Sequence, residues 1–354
     1  MDDLKIDGHK LLYHPGRVSN WLGGAAVYPI YMEISPTARC NHRCVFCAFD
    51  YVEYPDRSLE TGRLKRIIAE IAGLGVKSIM YAGEGEPFLH PDMAKIIAHT
   101  KRCGIDTAVA TNATLLTPAA ADACLGSLAW MRVSMNAGTP LGYAFVHGTS
   151  EKMFHKAVDN LKYAVELKRR EGLGCTIGAQ LVLVGENMGE VLPLAELLSE
   201  AGADYLTVKP CVSHPLSRHG RAEECDPAEI ERLHGELEKF ENENFKIVFR
   251  RHSFRKLAAE RQRYGACHGI NFFAEIASDG EVYTCGPFLG VKEHSYGNIN
   301  ESSFREIWEG ERRKKVLRHV SELDVGRCMP NCRLDEINLY LWQLLNPPDH
   351  VNFI

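Results

Sequence analysis

The chain has 354 residues, of which 45% are apolar and 25% charged, the values of an ordinary globular protein; they exclude collagen-like, low-complexity and largely disordered architectures. Its 41 basic and 46 acidic side chains leave a formal charge of −5, so no overall positive field exists to hold a nucleic-acid backbone, and no nucleic-acid partner is expected. The opening MDDLKIDGHK is acidic and has no apolar core, and no apolar run approaches the roughly 18 residues of a bilayer span, so a cytoplasmic protein without membrane association is expected.

From about residue 28 to residue 210, β-branched and apolar runs alternate with stretches of helical period. Strands are expected at 30–34, 78–82, 107–111, 130–135, 175–184 and 205–209, and helices over 60–74, 92–103, 118–126, 151–171 and 189–201. The helical period is carried by sets such as Leu64, Ile67, Ile68 and Ile71, or Phe154, Val158, Leu161 and Val165. Such alternation predicts right-handed βαβ units and a parallel sheet closed fully or partly into an α/β barrel. After residue 210 the rhythm changes. A segment rich in His, Pro, Ser and Cys (211–225) precedes a charged helix expected at 227–243. A hairpin over 272–285 follows, turning at Asp279-Gly280, which suits positive φ. Helices are expected over 302–320, where Arg312 to Lys315 reads as a solvated face, and over 334–345. The expected organisation is an extension (1–27), an α/β barrel (28–225) and a smaller α+β domain (226–354).

Seven of the twelve cysteines fall into two groups. In a reducing compartment, grouped thiols point to metal or redox chemistry before disulfides. Cys40, Cys44 and Cys47 directly follow the first strand, at the carboxyl-end face where α/β barrels place their chemistry. Spaced by three and then two residues, they can wrap one corner of a 4Fe-4S cubane and leave the fourth iron open. Structural zinc is the alternative, with His42 as fourth ligand. Cys267, Cys285, Cys328 and Cys332 suffice to ligate a further cluster completely, or a zinc ion. The scattered Cys103, Cys124, Cys175 and Cys225 read as small buried hydrophobes.

The Cys40-x3-Cys44-x2-Cys47 run, with Phe46 before its last cysteine, resembles the radical S-adenosylmethionine (SAM) superfamily. The resemblance implies a partial (βα)6 TIM-like barrel in which Cys40, Cys44 and Cys47 hold a 4Fe-4S cluster that chelates SAM. It further implies that reductive cleavage of SAM gives a 5′-deoxyadenosyl radical that abstracts hydrogen. Phe46 is expected to line the adenine site. Ala82-Gly83-Glu84-Gly85-Glu86-Pro87 is similar to the family's Gly-Gly-Glu-Pro element, which assigns the methionine amino group to Gly85, Glu86 and Pro87; Glu84 stands where the first glycine would be, and its role is left open. Thr111-Asn112-Ala113 resembles Thr-Asn-Gly, which brings in Asn112, and the family's use of later strands nominates Ser134, Asn136 and Gln180 for SAM. In the tail, residues 279–285, 296–299 and 306–308 resemble the C-terminal SPASM and twitch extensions. Four cysteines rather than seven fit the twitch form with one auxiliary 4Fe-4S cluster, with a non-cysteine ligand such as His268 left open. An external one-electron donor such as flavodoxin or ferredoxin is an implied partner.

An auxiliary cluster near the substrate would accept an electron and yield net oxidation, for which a polar small molecule of sugar, aminosugar or cyclitol type is expected. A thiol returning a hydrogen atom would instead yield epimerisation. Cys211, just past Lys209-Pro210 at the end of the sixth strand, is the candidate thiol; Lys209 is the candidate base or anion-binding group, and His214 and His219 are candidate proton exchangers or plain loop residues. Arg132, Tyr143 and His147 are polar residues near the fourth strand without a place. The alternatives are a peptide maturase or epimerase, disfavoured by the roughly 27 residues available for an N-terminal peptide-binding wing, and a zinc-stabilised binding protein without catalysis.

Overall fold

The computed structural model describes residues 9–212, 214, 216–218, 226–257 and 263–353; His219 and Cys225 lie outside them. Six strands run in chain order, each parallel to the next: β1 (Tyr31–Ile34), β2 (Ser78–Tyr81), β3 (Asp106–Thr111), β4 (Trp130–Ser134), β5 (Thr176–Leu183) and β6 (Tyr205–Pro210). A further strand, β7 (Lys246–Phe249), extends the sheet parallel to β6. At the other edge β8 (Phe273–Ile276) pairs parallel to β1, and β9 (Glu281–Tyr283) and β10 (Ser295–Asn298) continue antiparallel. The order β10-β9-β8-β1-β2-β3-β4-β5-β6-β7 leaves the sheet open, a partial barrel whose free β1 edge is taken by the C-terminal hairpin.

Alternation along each strand decides what reaches the interior. Met32, Ile34, Ile79, Tyr81, Met131 and Val133 are buried beneath the helices, in one core with Leu64, Ile67, Ile68 and Ile71 of the helix Thr61–Gly73. Their neighbours Glu33, Met80, Arg132 and Lys209 face the other way and line one central cavity. The helix Thr61–Gly73 begins where the Glu60 carboxylate accepts from the Gly62 and Arg63 amides. The long helix Glu151–Glu171 ends at Gly172, whose φ of 61° is the left-handed geometry that favours glycine.

Three expectations are corrected. The charged helix stops at Leu237, with one 3-10 turn to Phe240, so that β7 can form; β7 is only four residues long and none of them is fully buried. The 302–320 stretch breaks at Gly310 into helices Phe304–Glu309 and Glu311–Ser321. Arg313 is not solvated: it is 4% exposed, stacks 3.8 Å from the Trp308 ring, and donates to the Trp308 carbonyl and Asn271 Oδ1.

Several cross-links fix the tail to the barrel. The Glu70 carboxylate accepts from the Phe304 and Arg305 amides, capping that helix from outside. Trp308 Nε1 donates to the Val27 carbonyl at 2.7 Å. Glu84, which had no role from sequence, accepts from Arg57 at 3.3 Å and from the Ser278 amide at 2.8 Å, joining the second-strand loop to the hairpin. Among the described residues, no helix is long and apolar enough to cross a membrane.

Candidate active site

Cys40, Cys44 and Cys47 stand in the loop after β1, which is clamped from two sides. The Arg43 and Val45 amides donate to the His147 and Val146 carbonyls. On the other side Gly85 packs so closely that a Cβ there would sit 2.3 Å from the Arg39 carbonyl oxygen; glycine is required by the approach of this loop. The three thiols are close enough to perturb one another, and burial pushes them up, Cys40 to about 11 and Cys44 well above the usual thiol range. Buried, mutually repelling sulfurs are held as thiolates by a metal cluster, so these residues fit the three-ligand cluster.

Behind Cys44 lies a relay of buried polar groups. The Asn136 amide donates to His147 Nε2 at 3.2 Å, so His147 Nδ1 carries the proton and faces Cys44 Sγ at 3.2 Å. Burial holds His147 neutral, its pKa far below the ordinary histidine value. Tyr143 stacks on it at 4.1 Å, which places both histidine and tyrosine as supports of the cysteine loop. His42, the fourth ligand of the zinc alternative, is engaged elsewhere: its Nδ1 lies 3.1 Å from Asn112 Nδ2 and its Nε2 3.2 Å from the Tyr143 hydroxyl.

Several of the other residues expected at SAM connect to this loop through hydrogen bonds. Glu86 is buried with its oxygens accepting from the Thr111 hydroxyl at 2.6 Å, the Asn112 amide at 2.7 Å and the Phe88 amide at 3.1 Å. Its carboxylate therefore braces the β2 and β3 loops against each other, a duty the sequence did not reveal. Pro87 opens the short 3-10 turn Pro87–Leu89 that follows. Ala113, where the family motif has glycine, adopts φ 61°. Asn112 donates to Asn41 Oδ1, and Asn136 Oδ1 accepts from the Val182 amide. Ser134 and Gln180 are register partners on β4 and β5, and Phe46 lies edge-on to His147 at 5.7 Å.

The second thiol group is assembled by the tail. Cys267, Cys285, Cys328 and Cys332 line a single apolar cavity of about 30 Å³. Burial is the main force raising them, Cys267 to about 11 and Cys332 to about 12, with neighbouring thiols adding to it. Cys267 Sγ accepts from Asn338 Nδ2 at 3.4 Å and Cys332 Sγ from the Leu334 amide at 3.4 Å. Among the described residues no group of three or more His, Cys, Asp or Glu side chains is gathered closely enough to hold a single ion. His268 points away from that cavity, its ring 5.3 Å from Trp21 and 6.4 Å from Trp342.

Between the two thiol groups lies a cavity of about 330 Å³. Phe46, Cys285, Cys332, Lys209 and Cys211 all line it. Burial and the charges of Arg132, Arg250 and Arg333 press Lys209 down to about 7, and burial pushes the Cys211 thiol up. His214 is not a free proton exchanger: it stacks on Tyr51 at 4.9 Å, accepts from the Leu216 amide and donates to the Pro287 carbonyl at 2.9 Å. Glu33 and Glu275 are register partners on β1 and β8, and Arg333 pairs with Glu33 at 2.6 Å. Burial and Glu33 push the Glu275 carboxyl well above the usual range. Arg250, Arg333, Glu33 and Glu275 escaped the sequence reading. Each lies in an otherwise ordinary strand or loop, and the signal that would have found Glu33 and Glu275 is a carboxylate on the inward side of an apolar strand.

Residues 34–198 match the radical SAM superfamily, and residues 267–333 match SPASM, an iron-sulfur cluster-binding domain. Over 316 residues the chain is 30% identical to the AdoMet-dependent heme synthase of Methanosarcina barkeri, covering 82% of this chain and 85% of that one. This chain belongs to the radical SAM superfamily. It is also 28% identical over 309 residues to the tungsten-containing aldehyde ferredoxin oxidoreductase cofactor-modifying protein of Pyrococcus furiosus, covering 80% of this chain and 81% of that one. The same fold is seen in Streptococcus suis SuiB, at a TM-score of 0.63 and 17% identity over 85% of this chain and 70% of that one. It is seen again in anSMEcpe with bound AdoMet, at 0.59 and 17% over 83% of this chain and 84% of that one. This radical SAM enzyme takes the cofactors of its two domains, 4Fe-4S clusters and SAM.

Proposed function

We propose that this radical SAM enzyme oxidises a polar small molecule of sugar, aminosugar or cyclitol type in the cavity between its two thiol groups. In this reading Cys40, Cys44 and Cys47 hold the SAM-binding cluster, and Cys267, Cys285, Cys328 and Cys332 hold one auxiliary cluster. The single observation that carries it is the shared wall: Phe46, next to Cys47, and Cys285 and Cys332 of the tail line one space of about 330 Å³. When bound, SAM and the first cluster supply a 5′-deoxyadenosyl radical, and the auxiliary cluster supplies a one-electron acceptor.

The chain's own residues do the rest. The volume lies at the lower end of ligand pockets, which suits a monosaccharide-sized molecule. Phe46, Phe49 and Pro287 supply apolar wall that excludes water. Glu86, Asn112 and Asn136 fix the loops around the cofactor site through the hydrogen bonds described above. Lys209 and Cys211 line the same space, within reach of a molecule held there. An external one-electron donor, of flavodoxin or ferredoxin type, supplies the first electron; the one an auxiliary cluster would take from the substrate would replace the electron spent on SAM, with the substrate's proton released to water.

A second reading rests on Cys211. Its thiol lines the cavity and burial keeps it protonated, the state a hydrogen-atom donor needs, so epimerisation is the rival outcome. The test is to incubate the reduced, cluster-loaded enzyme and SAM with a small-molecule extract in heavy water and follow masses. Oxidation predicts a SAM-dependent product lighter by two hydrogens, formed also by Cys211→Ala. A product of unchanged composition carrying one carbon-bound deuterium, and lost in Cys211→Ala, overturns oxidation in favour of epimerisation.

A further inference from the structure

The cavity wall is far more basic than the chain as a whole. Arg132 comes from β4, Lys209 from β6, Arg250 from the residue after β7 and Arg333 from the tail, yet all four line the same space. The acids within reach are Glu33, on that wall, and Glu275, its register partner. Glu33 is taken by Arg333 at 2.6 Å and by the Tyr31 hydroxyl. Among the described residues neither Arg132 nor Lys209 forms an ion pair. Arg132 Nε is buried without a hydrogen-bond partner, and its Nη2 donates only weakly, to the Met80 sulfur at 4.0 Å. Crowding like charges on a half-buried wall is costly unless an anion completes it.

From this, and resting on the small-molecule reading above, we infer that the substrate carries an acidic group, a carboxylate or a phosphate, held by Arg132 and Lys209 in the wall they share with Arg250 and Arg333. The group is distinct from the carboxylate of SAM. Of the residues nominated for SAM, only Phe46 reaches this cavity; Gly85, Glu86, Asn112, Ser134, Asn136 and Gln180 do not line it. A guanidinium fork and an ammonium suit such an anion, and its arrival returns Lys209 to its charged form. The acid then anchors one end of the molecule while the remainder extends between Phe46 and Cys285.

The test is calorimetric titration of the cluster-loaded enzyme, saturated with SAM, against glucose, glucose 6-phosphate, glucuronate and inorganic phosphate. At least one anionic sugar is expected to bind about tenfold or more tightly than glucose, with Arg132→Met and Lys209→Met each weakening it about tenfold and Arg132→Lys retaining most of the affinity. Preference for glucose 6-phosphate assigns a phosphate, and preference for glucuronate a carboxylate. Circular dichroism of each variant separates a lost contact from a lost fold. Four results overturn the inference: glucose binding as tightly as both anionic sugars, no anion binding, anion affinity unchanged in the double variant, or anion binding only when SAM is absent. The last would give the cations to SAM itself. Because the titration involves no turnover, it fails independently of the oxidation reading, which product masses decide.

Discussion

Replacing Glu84 by alanine is expected to loosen the tail from the barrel. Glu84 is 4% exposed; one oxygen accepts from Arg57 at 3.3 Å and the other from the Ser278 amide at 2.8 Å. Leaving the buried Ser278 N–H without a partner costs about 1–3 kcal/mol. The Arg57 side chain is 36% exposed, so water recovers much of its lost interaction and the ion pair adds no more than about 1 kcal/mol. A total near 3 kcal/mol corresponds to a melting temperature lower by about 4 °C if a chain of this length unfolds as one unit. Glu84→Gln keeps an oxygen for Ser278 and loses only the ion pair, so it should cost about 1 kcal/mol or less. Anaerobic thermal unfolding of the cluster-loaded protein reads both variants. A melting temperature for Glu84→Ala within about 1 °C of wild type, or equal losses in the two variants, would refute the cross-link.

Three further outcomes follow from the supporting contacts. His147→Phe removes the N–H that faces Cys44 Sγ at 3.2 Å, and potentiometry should find the SAM-binding cluster harder to reduce. The shift is on the order of 60 mV if that bond favours the reduced cluster by about 1.4 kcal/mol. Asn338→Leu deletes both the donor to Cys267 Sγ and the acceptor of the Gly269 amide at 2.7 Å, so iron should be lost from the tail site on dilution while 5′-deoxyadenosine formation continues. Lys209 has its pKa lowered from 10.5 to about 7, so between those values the unfolded chain binds a proton that the native chain has released; stability should rise over that pH range and rise less in Lys209→Met, as denaturant titrations at several pH values would show.

The sequence was most legible where structure is local. Each of the six barrel strands pairs with its successor, so each βα unit announces itself by its own periodicity, and the expected bounds agree with the observed ones to within about two residues. The pairing of β8 with β1 joins segments from opposite ends of the chain and has no local signature. Lys246–Phe249 is short and flanked by charge, and Ser295–Asn298 carries glycine and asparagine, so neither reads as a strand alone. Glycine at 310 offered a break in the helix, but the apolar spacing on either side concealed it.

The site divides the same way. The cysteines and the loop residues from Gly85 to Pro87 lie in contiguous motifs and could be read directly. The basic cavity could be read only in part: Lys209 stands out by its place at the end of the sixth strand, whereas Arg132, Arg250 and Arg333 each resemble a surface cation, and it takes the curl of the open sheet and the docked tail to bring them to one space. Glu84 is the instructive case, because a departure from the motif became intelligible only through Arg57 and Ser278.

The most direct test of the account is electron paramagnetic resonance of the anaerobically reconstituted, dithionite-reduced protein with and without SAM. SAM is expected to change the spectrum of the cluster held by Cys40, Cys44 and Cys47 and 5′-deoxyadenosine to accumulate, with both responses lost in Cys44→Ala. A spectrum indifferent to SAM, with no 5′-deoxyadenosine formed, would contradict it.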